Sequence, residues 1–412
     1  MNKKIFYTLV QCIFVLNISA QKTTLFMGGI AHLGNGEKIE NSVISVKDGK
    51  FDLVADASRI RIDPSAFDTI IRIYGKHIYP AFISPNTTLG ITEIDAVRAT
   101  KDYNEVGEFN PNVRSQIAYN TDSKILKTVR TNGVLITQAT PRGGVISGSS
   151  SVMYLDGWNW EDATLKTDDG IHLNWPRYYH YSGINLNYEK GVKKIKNYFE
   201  IAKAYFEKNS KIDLELEATK GLFNGTKNLY IHADYAKDIR ESIRFFKKLG
   251  IKYVVIVGGK DALNAIPVLQ EFKVPIILER VHSLPTNEDA AIYQFFTLPA
   301  ELQKNGILFC LGYNGDMEAM GTRNLPFTAG TAVAYGLDME KAIASISLNT
   351  AIILGIEKTT GSIEIGKNAT FFISSGDALD MRTNNVEQAF IKGNAVDLNN
   401  HQKELFEKYK DR

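Results

Sequence analysis

Four side chains able to hold a metal ion or move a proton stand just behind apolar, β-branched runs. His232 closes "LYIHAD", Glu279 and His282 lie in "IILERVHSLP", and Asp316 lies in "CLGYNGDMEAM". Imidazole nitrogens and carboxylate oxygens are donors that zinc and similar divalent ions take, and an open position on such an ion carries an activated water. If their tips converge, His232, His282, Glu279 and Asp316 form a ligand set for one divalent, zinc-like ion. In a site of that kind a carboxylate can take a proton from the attacking water, and an imidazole can hold the ion or polarise a carbonyl directly. The competing reading has no metal: Glu279, Arg280 and His282 form a buried cluster of ion pairs and hydrogen bonds. A further candidate is the loop "TPRGGVISGSSSV", whose amides at Gly143, Gly144 and Gly148, with the charge of Arg142, would suit a carbonyl or anionic group of a substrate. Glycine and serine in a strand-to-strand turn also need no ligand to explain them.

These side chains can meet only if the elements carrying them share one edge. From Pro80 to Ile356 short apolar runs ("GVLITQAT", "NLYIHAD", "KYVVIVGG", "VPIILERV", "GILFCLGY") alternate with helical patterns such as "AKDIRESIRFFKKLG" and "AGTAVAYGLDMEKAIASISL". Strands buried on both faces and separated by helices argue for a parallel sheet, and this many units favours a closed (β/α)8 barrel, which places chemistry at the strand C-terminal ends. Residues 21–79 and 357–412 instead show alternating runs punctuated by Gly and Asp-Gly, the hairpin signal, and predict one small β-sandwich built from both chain ends. Residues 158–228 break the alternation. They hold all three tryptophans and a helix from about Tyr188 to Asn209, with Val192, Ile195, Phe199, Ala202 and Phe206 on one stripe. This reads as an insertion packed on the barrel, with His172 and His180 as packing residues. His32 and His77 fall in the sheet domain and His401 in a polar tail. The carboxylates Glu93, Asp95, Asp102, Glu105 and Glu108 read as solvated or loop-fixing charge.

The first 20 residues, "MNKK" followed by "IFYTLVQCIFVLNISA", have the layout of a secretory signal peptide cleaved after Ala20, so the expectation is an exported protein, periplasmic or secreted. No later stretch is apolar for long enough to span a membrane. Cleavage would remove Cys12 and leave Cys310 alone, which excludes an intramolecular disulfide. With 48 basic and 46 acidic residues the charge is balanced, which argues against a nucleic-acid partner.

The entry strand "PAFISPNTTLG", the phrases "LYIHAD", "RNLPFTAGTAVAYGLDMEKAIASISLNTAIILGI" and "GSIEIGKNATFFI", and the sheet domain made from both ends together resemble the amidohydrolase superfamily, in particular its imidazolonepropionase-like and prolidase-like members. The resemblance covers nearly all of the chain after residue 20. In active members the first barrel strand ends in Asp-x-His-x-His, and its two histidines bind the metal. Here the matching positions are Ser84, Asn86 and Thr88. The resemblance makes His232 the surviving third ligand, puts Gly258 and Gly259 where the next one belongs, and sets Asn314, or Asp316 after a two-residue shift, at the place of the catalytic aspartate. Amide and hydroxyl groups replace imidazoles poorly around zinc.

Two accounts follow. One is an exported hydrolase acting on a carbon–nitrogen bond of a small cyclic amide or dipeptide-like substrate, with a degraded or relocated metal site and with Arg142, Asn86 and Thr88 contacting substrate. The other is a pseudoenzyme on the same fold, acting as a binding protein, a homodimer, or the partner subunit of an active amidohydrolase. It would keep small or neutral groups where the ion was.

Overall fold

The computed structural model describes residues 23–180, 183–208, 211–285, 290–315 and 317–411. The expected signal peptide and Asp316 lie outside the described residues. The strands in chain order are β1 (Thr23–His32), β2 (Lys38–Lys47), β3 (Lys50–Asp56), β4 (Thr69–Arg72), β5 (His77–Pro80), β6 (Phe82–Thr87), β7 (Val134–Ala139), β8 (Ile146–Tyr154), β9 (Thr164–Asn174), the short pair β10 (Tyr179–His180) and β11 (Gly183–Ile184), then β12 (Asn228–Ala233), β13 (Val254–Gly258), β14 (Ile276–Leu278), β15 (Phe309–Leu311), β16 (Phe371–Ser374), β17 (Val386–Ile391) and β18 (Asn394–Ala395).

The barrel sheet runs β6-β7-β8-β9-β12-β13-β14-β15. Every residue of β6, β7, β8 and β13 is buried, the pattern of strands covered on both faces. Its two outer strands come together without a ladder: a Cβ on Gly312, just after β15, would lie 3.6 Å from the carbonyl oxygen of Pro85 in β6. The eight-stranded barrel is therefore nearly closed. It departs from a regular (β/α)8 order at β8, which runs antiparallel to both β7 and β9. Residues 140–145 simply turn β7 back into β8, too short a link for a helical crossover.

β9 corrects the reading of residues 158–228 as an insertion. Its second half is a barrel strand paired in parallel with β12, Gly170 to Asn174 against Asn228 to His232. The charged start "TLKTDD" hid it, as did a break in its pattern at Asp168, which takes φ 46°. Only Asp169 to Leu173 are fully buried. The helix Tyr188–Glu207 buries Val192, Ile195, Phe199 and Ala202 as the spacing predicts. At the next turn, however, Tyr205 is buried and Phe206 is not. The neighbouring helix Leu214–Asn224 accounts for this: the Tyr205 hydroxyl donates to Glu217 (2.8 Å), while Phe206 stacks on Phe223 at the rim.

Helices cover the barrel in the expected way. Ala236–Leu249 turns Ile239, Ile243 and Phe246 inward, takes the Asp261 carboxylate on the N–H of Ala236 at 3.0 Å, and ends on Gly250 at φ 98°. An anion at the N-terminus and a left-handed glycine after the last turn are favourable at those places.

The sheet domain uses both chain ends, in the order β18-β17-β16-β5-β1-β2-β3. One edge of β1 carries β2, and the other is shared, Thr24–Met27 with β4 and Ile30–Ala31 with β5. The edge changes hands at Gly28, where φ is 91° and a side chain would strike the Tyr74 ring at 2.2 Å. This fork lets the sheet fold over a core of Phe26, Ile44, Phe51, Ile78 and Phe371. β5 then leads through Ala81 straight into β6, fixing the sandwich to the barrel.

Candidate functional site

At the barrel mouth the C-terminal ends of β6, β7, β12, β14 and β15 deliver Asn86, Arg142, His232, Glu279 and Asn314. Arg142 is tied down on all sides. Its Nη1 donates to Asn86 Oδ1 (3.1 Å) and to the carbonyls of Thr140 and Pro141, and its Nη2 to the Asn86 carbonyl (2.9 Å) and Glu318 Oε1 (3.0 Å). Glu279 Oε1 accepts from Asn86 Nδ2 (3.1 Å) and from Asn314 Nδ2. Burial, with the negative charge of Asp234 beside it, raises the Glu279 pKa, while Asn314 and Arg142 pull it back. Asn86 itself sits at φ 49°, a left-handed conformation that asparagine tolerates better than most residues.

Beneath the mouth a line of hydrogen bonds runs down the barrel interior. His232 Nε2 meets His172 Nδ1 at 3.0 Å, His172 Nε2 meets Ser150 Oγ at 3.0 Å, and Ser150 Oγ donates to Asp169 Oδ1 at 2.7 Å. Gln138 Nε2 (2.8 Å) and the Tyr230 hydroxyl (2.6 Å) donate to the other oxygen of Asp169. Gln138 Oε1 takes the N–H of Asn86, which fixes its amide orientation, and Tyr230 accepts from Asn228 Nδ2, which fixes its hydroxyl as the donor to Asp169. Burial raises the Asp169 pKa, while the hydrogen bonds from Tyr230, Ser150 and Gln138 oppose the rise and favour the anion to which Ser150 donates. The tautomers follow: His172 carries its proton on Nε2 toward Ser150, and His232 carries its own on Nε2 toward His172. His232 Nδ1 is left as an acceptor. Burial, and secondarily Arg142, lower the His232 pKa to about 3. Burial, His232 and Arg142 lower that of His172 well below the ordinary value. Both rings are neutral near pH 7. Gly170 makes room for this line, since a Cβ there would lie 2.3 Å from the Tyr230 ring.

The structure thus brings together Asn86, Arg142, Glu279 and Asn314 at the mouth, and it links His232 to the interior line. It does not bring His282 to them. His282 Nε2 bonds Thr331 Oγ1 at 2.7 Å and lines an outer groove with Phe327, Met339 and Leu379. Thr88 is buried beyond Asn86, its carbonyl taking the N–H of Ile91. Ser84 is fully buried with its hydroxyl unbonded. The amides of Arg142, Val145 and Ile146 bond the carbonyls of Tyr103 and Glu108, so this loop is sealed by the 103–108 segment. The carboxylates after β6 fix loops: Glu93 takes Asn120 and Ser123, and Asp95 takes the N–H of Met317. Sequence reasoning missed Gln138, Ser150, Asp169 and Tyr230 altogether. The only signal was polar residues inside "LITQAT", "SGSSSV" and "TDDGIHL", runs otherwise reading as barrel strands.

A barrel with its functional groups at strand C-terminal ends and a sheet domain from both chain ends is the architecture of metal-dependent hydrolases of the amidohydrolase class. The profile of the Amidohydrolase family matches residues 208–396. No curated protein sequence matches the chain. Among solved structures, an amidohydrolase from Thermotoga maritima MSB8 superposes with a TM-score of 0.80 at 24% identity, covering 91% of this chain and 99% of that one. A Xaa-Pro dipeptidase with bound methionine gives 0.57 at 14% identity, covering 91% and 100%. An adenosine deaminase from Xanthomonas campestris with bound zinc gives 0.53 at 14%, covering 94% and 97%. Residues 208–396 carry the family's profile, and the chain over most of its length has the fold of these structures.

The residues at the mouth do not fit the metal that the family implies. Among the described residues no group of three or more His, Cys, Asp and Glu is arranged to hold an ion. The reason is visible in the donors. Asn86 and Asn314 turn amide N–H groups toward Glu279, where a metal needs lone pairs, and a guanidinium holds the oxygen of Asn86. Gly258 and Gly259 have φ of 105° and 71°, and a Cβ on Gly258 would lie 2.6 Å from the Asp234 carboxylate. A ligand side chain is therefore excluded there by backbone as well as by residue type. The positive charge beside Glu279 and Glu318 is Arg142.

Proposed function

We propose that this is an exported amidohydrolase-fold protein that binds a small amide or dipeptide-like compound at the barrel mouth and has lost metal-dependent hydrolysis. The observation that carries the reading is the replacement of a lone-pair cage by a donor–acceptor set: Arg142 on both oxygens of Asn86, with Asn86 and Asn314 donating to Glu279. Such a set satisfies the buried carboxylate without an ion. Two acceptors remain for a ligand, His232 Nδ1 and Glu279 Oε2, the latter without a hydrogen bond among the described residues. Acceptors of this kind suit the N–H groups of an amide or a peptide amine. Titration calorimetry with a panel of dipeptides and cyclic amides tests it. Binding that is lost in Glu279→Gln and His232→Phe, without turnover, is expected. Turnover that depends on added zinc refutes it.

A second reading is favoured by the interior line. A water at His232 Nδ1 would give its proton to that ring. The Nε2 proton would pass to His172, the His172 proton to Ser150 and the Ser150 proton to Asp169. Carbon–nitrogen hydrolysis would then run with His232 as base and no metal. Its signature is turnover insensitive to chelator and abolished in both His232→Phe and Asp169→Asn.

A further inference from the structure

The opposite end of the barrel holds a cleft of about 600 Å³ that plays no part in the mouth. It opens where β9, β12, β13, β14 and β15 begin: Lys166, Asn228 and Val254 line it, with Pro275 and Leu308 just ahead of their strands. In a barrel the chemistry lies at the other face, and residues at this one ordinarily serve stability. Four lysines, 166, 247, 252 and 273, surround the cleft against a single carboxylate, Glu357. None of the four has an ion-pair partner within 4.0 Å among the described residues, although ion pairs are numerous elsewhere on the chain. Lys166 Nζ is held by the carbonyl of Leu354 (2.7 Å) and Lys247 Nζ by that of Lys252 (2.7 Å), so two ammonium groups are anchored at the rim. Lys252 and Lys273 are exposed and make no side-chain hydrogen bond among the described residues. Burial lowers the pKa of Lys247, the effect of a cation held in an apolar setting without a counter-charge. Val254, Val255, Phe272, Leu308, Ile352 and Ile353 supply the apolar part of the lining, beside polar Thr226, Asn228 and the lysines.

We infer that this cleft is a second binding site, for an organic anion with an apolar body and a carboxylate or phosphate head. Its volume falls in the range of small-molecule pockets. Uncompensated lysines around an apolar cleft are an electrostatic cost to the unliganded protein that an anionic head relieves, while the acyl or aryl body covers the exposed wall. An apolar cleft alone would take a neutral body equally well, so the charge requirement is the distinguishing claim.

The test uses octanoate, octyl phosphate, octanol and inorganic phosphate as probes, with binding to the full-length protein followed by calorimetry at low and high salt. The inference expects octanoate or octyl phosphate to bind, octanol and inorganic phosphate each to bind at least ten-fold more weakly, and the affinity to fall as salt rises. A Lys252→Met, Lys273→Met double variant, which breaks no hydrogen bond of the fold, should weaken the anion ten-fold or more. Ile352→Trp, at a partly open wall position, should block the cleft while leaving the circular dichroism spectrum unchanged. Octanol binding as tightly as octanoate, affinity unchanged in the lysine double variant, or absence of binding by both anions at millimolar concentration would overturn it. None of these outcomes depends on what the mouth binds, so the two sites stand or fall separately.

Discussion

Replacing Arg142 by methionine isolates the claim that a guanidinium does the electrostatic work at the mouth. The substitution keeps a long apolar stem but removes the partner of Glu318 and the charge that steadies Glu279. Side chains of Arg142 and Glu318 are 21% and 12% exposed, so the pair is largely shielded. Losing one member of such a pair costs about 3 to 5 kcal/mol when fully buried, and the residual exposure brings the expectation to about 3 kcal/mol. Arg142→Lys should recover little of it, because a point charge cannot serve Asn86 and Glu318 together as the planar fork does. The pH dependence is the sharper readout. Burial raises the Glu279 pKa in the fold, so its unfavourable contribution is greatest at high pH and fades as pH falls toward the ordinary carboxylate range. Without Arg142 that shift grows. His232 meanwhile loses a positive neighbour and becomes easier to protonate. Both effects shrink the deficit of the variant on acidification. Urea unfolding of wild type and variant at pH 8, 7, 6 and 5 measures it. A deficit under about 1 kcal/mol, or one constant across this range, would refute the reasoning.

Three further outcomes follow from the interior line and its surroundings. Gln138→Leu strands the N–H of Asn86 and removes a donor from Asp169, and should lower the unfolding free energy by about 2 to 4 kcal/mol in urea titration. Gly170→Ala pushes a methyl group to 2.3 Å from the Tyr230 ring and 2.6 Å from the Asn228 carbonyl; overpacking should cost about 1–3 kcal/mol and lower the melting temperature in calorimetry. His232 and His172 have depressed pKa values in the fold, so their contribution is complete above the unfolded value near 6.5 and is lost as pH falls from there toward about 3 for His232. Wild-type stability should therefore drop below pH 6.5 by up to about 1.4 kcal/mol per pH unit per ring. About half of this slope should remain in His172→Gln, since burial and Arg142 still depress His232, and a flat profile from pH 7 to 4.5 contradicts the assignment.

The fold was legible where burial pattern and chain order agree. β13 and β14 are short β-branched runs before helices, and the glycine-punctuated ends pair into one sheet as their alternation predicts. β9 was not legible, because its paired half is short, its first half is charged, and only the four-residue helix Trp160–Ala163 separates it from β8. The site was half legible. Residue type at Asn86, Gly258 and Asn314 was the signal there, and the structure adds the hydrogen bonds of Asn86 and Asn314 to Glu279 and of Arg142 to Asn86. The interior line could not be read from sequence: Ser150, Asp169 and His172 become neighbours only through the β8–β9 register, which an antiparallel hairpin sets and spacing does not encode. His282 was grouped with Glu279 because only two residues separate them, but the chain turns between them and delivers His282 to Thr331.

The most direct test of the account is the metal content of the protein purified without chelator, then equilibrated with zinc and dialysed, measured by plasma mass spectrometry beside a His232→Ala variant. The account predicts far less than one equivalent in both proteins. About one equivalent of zinc in the wild type, absent from the variant, would show that the mouth still assembles a metal site and would contradict the replacement of the ion by Arg142.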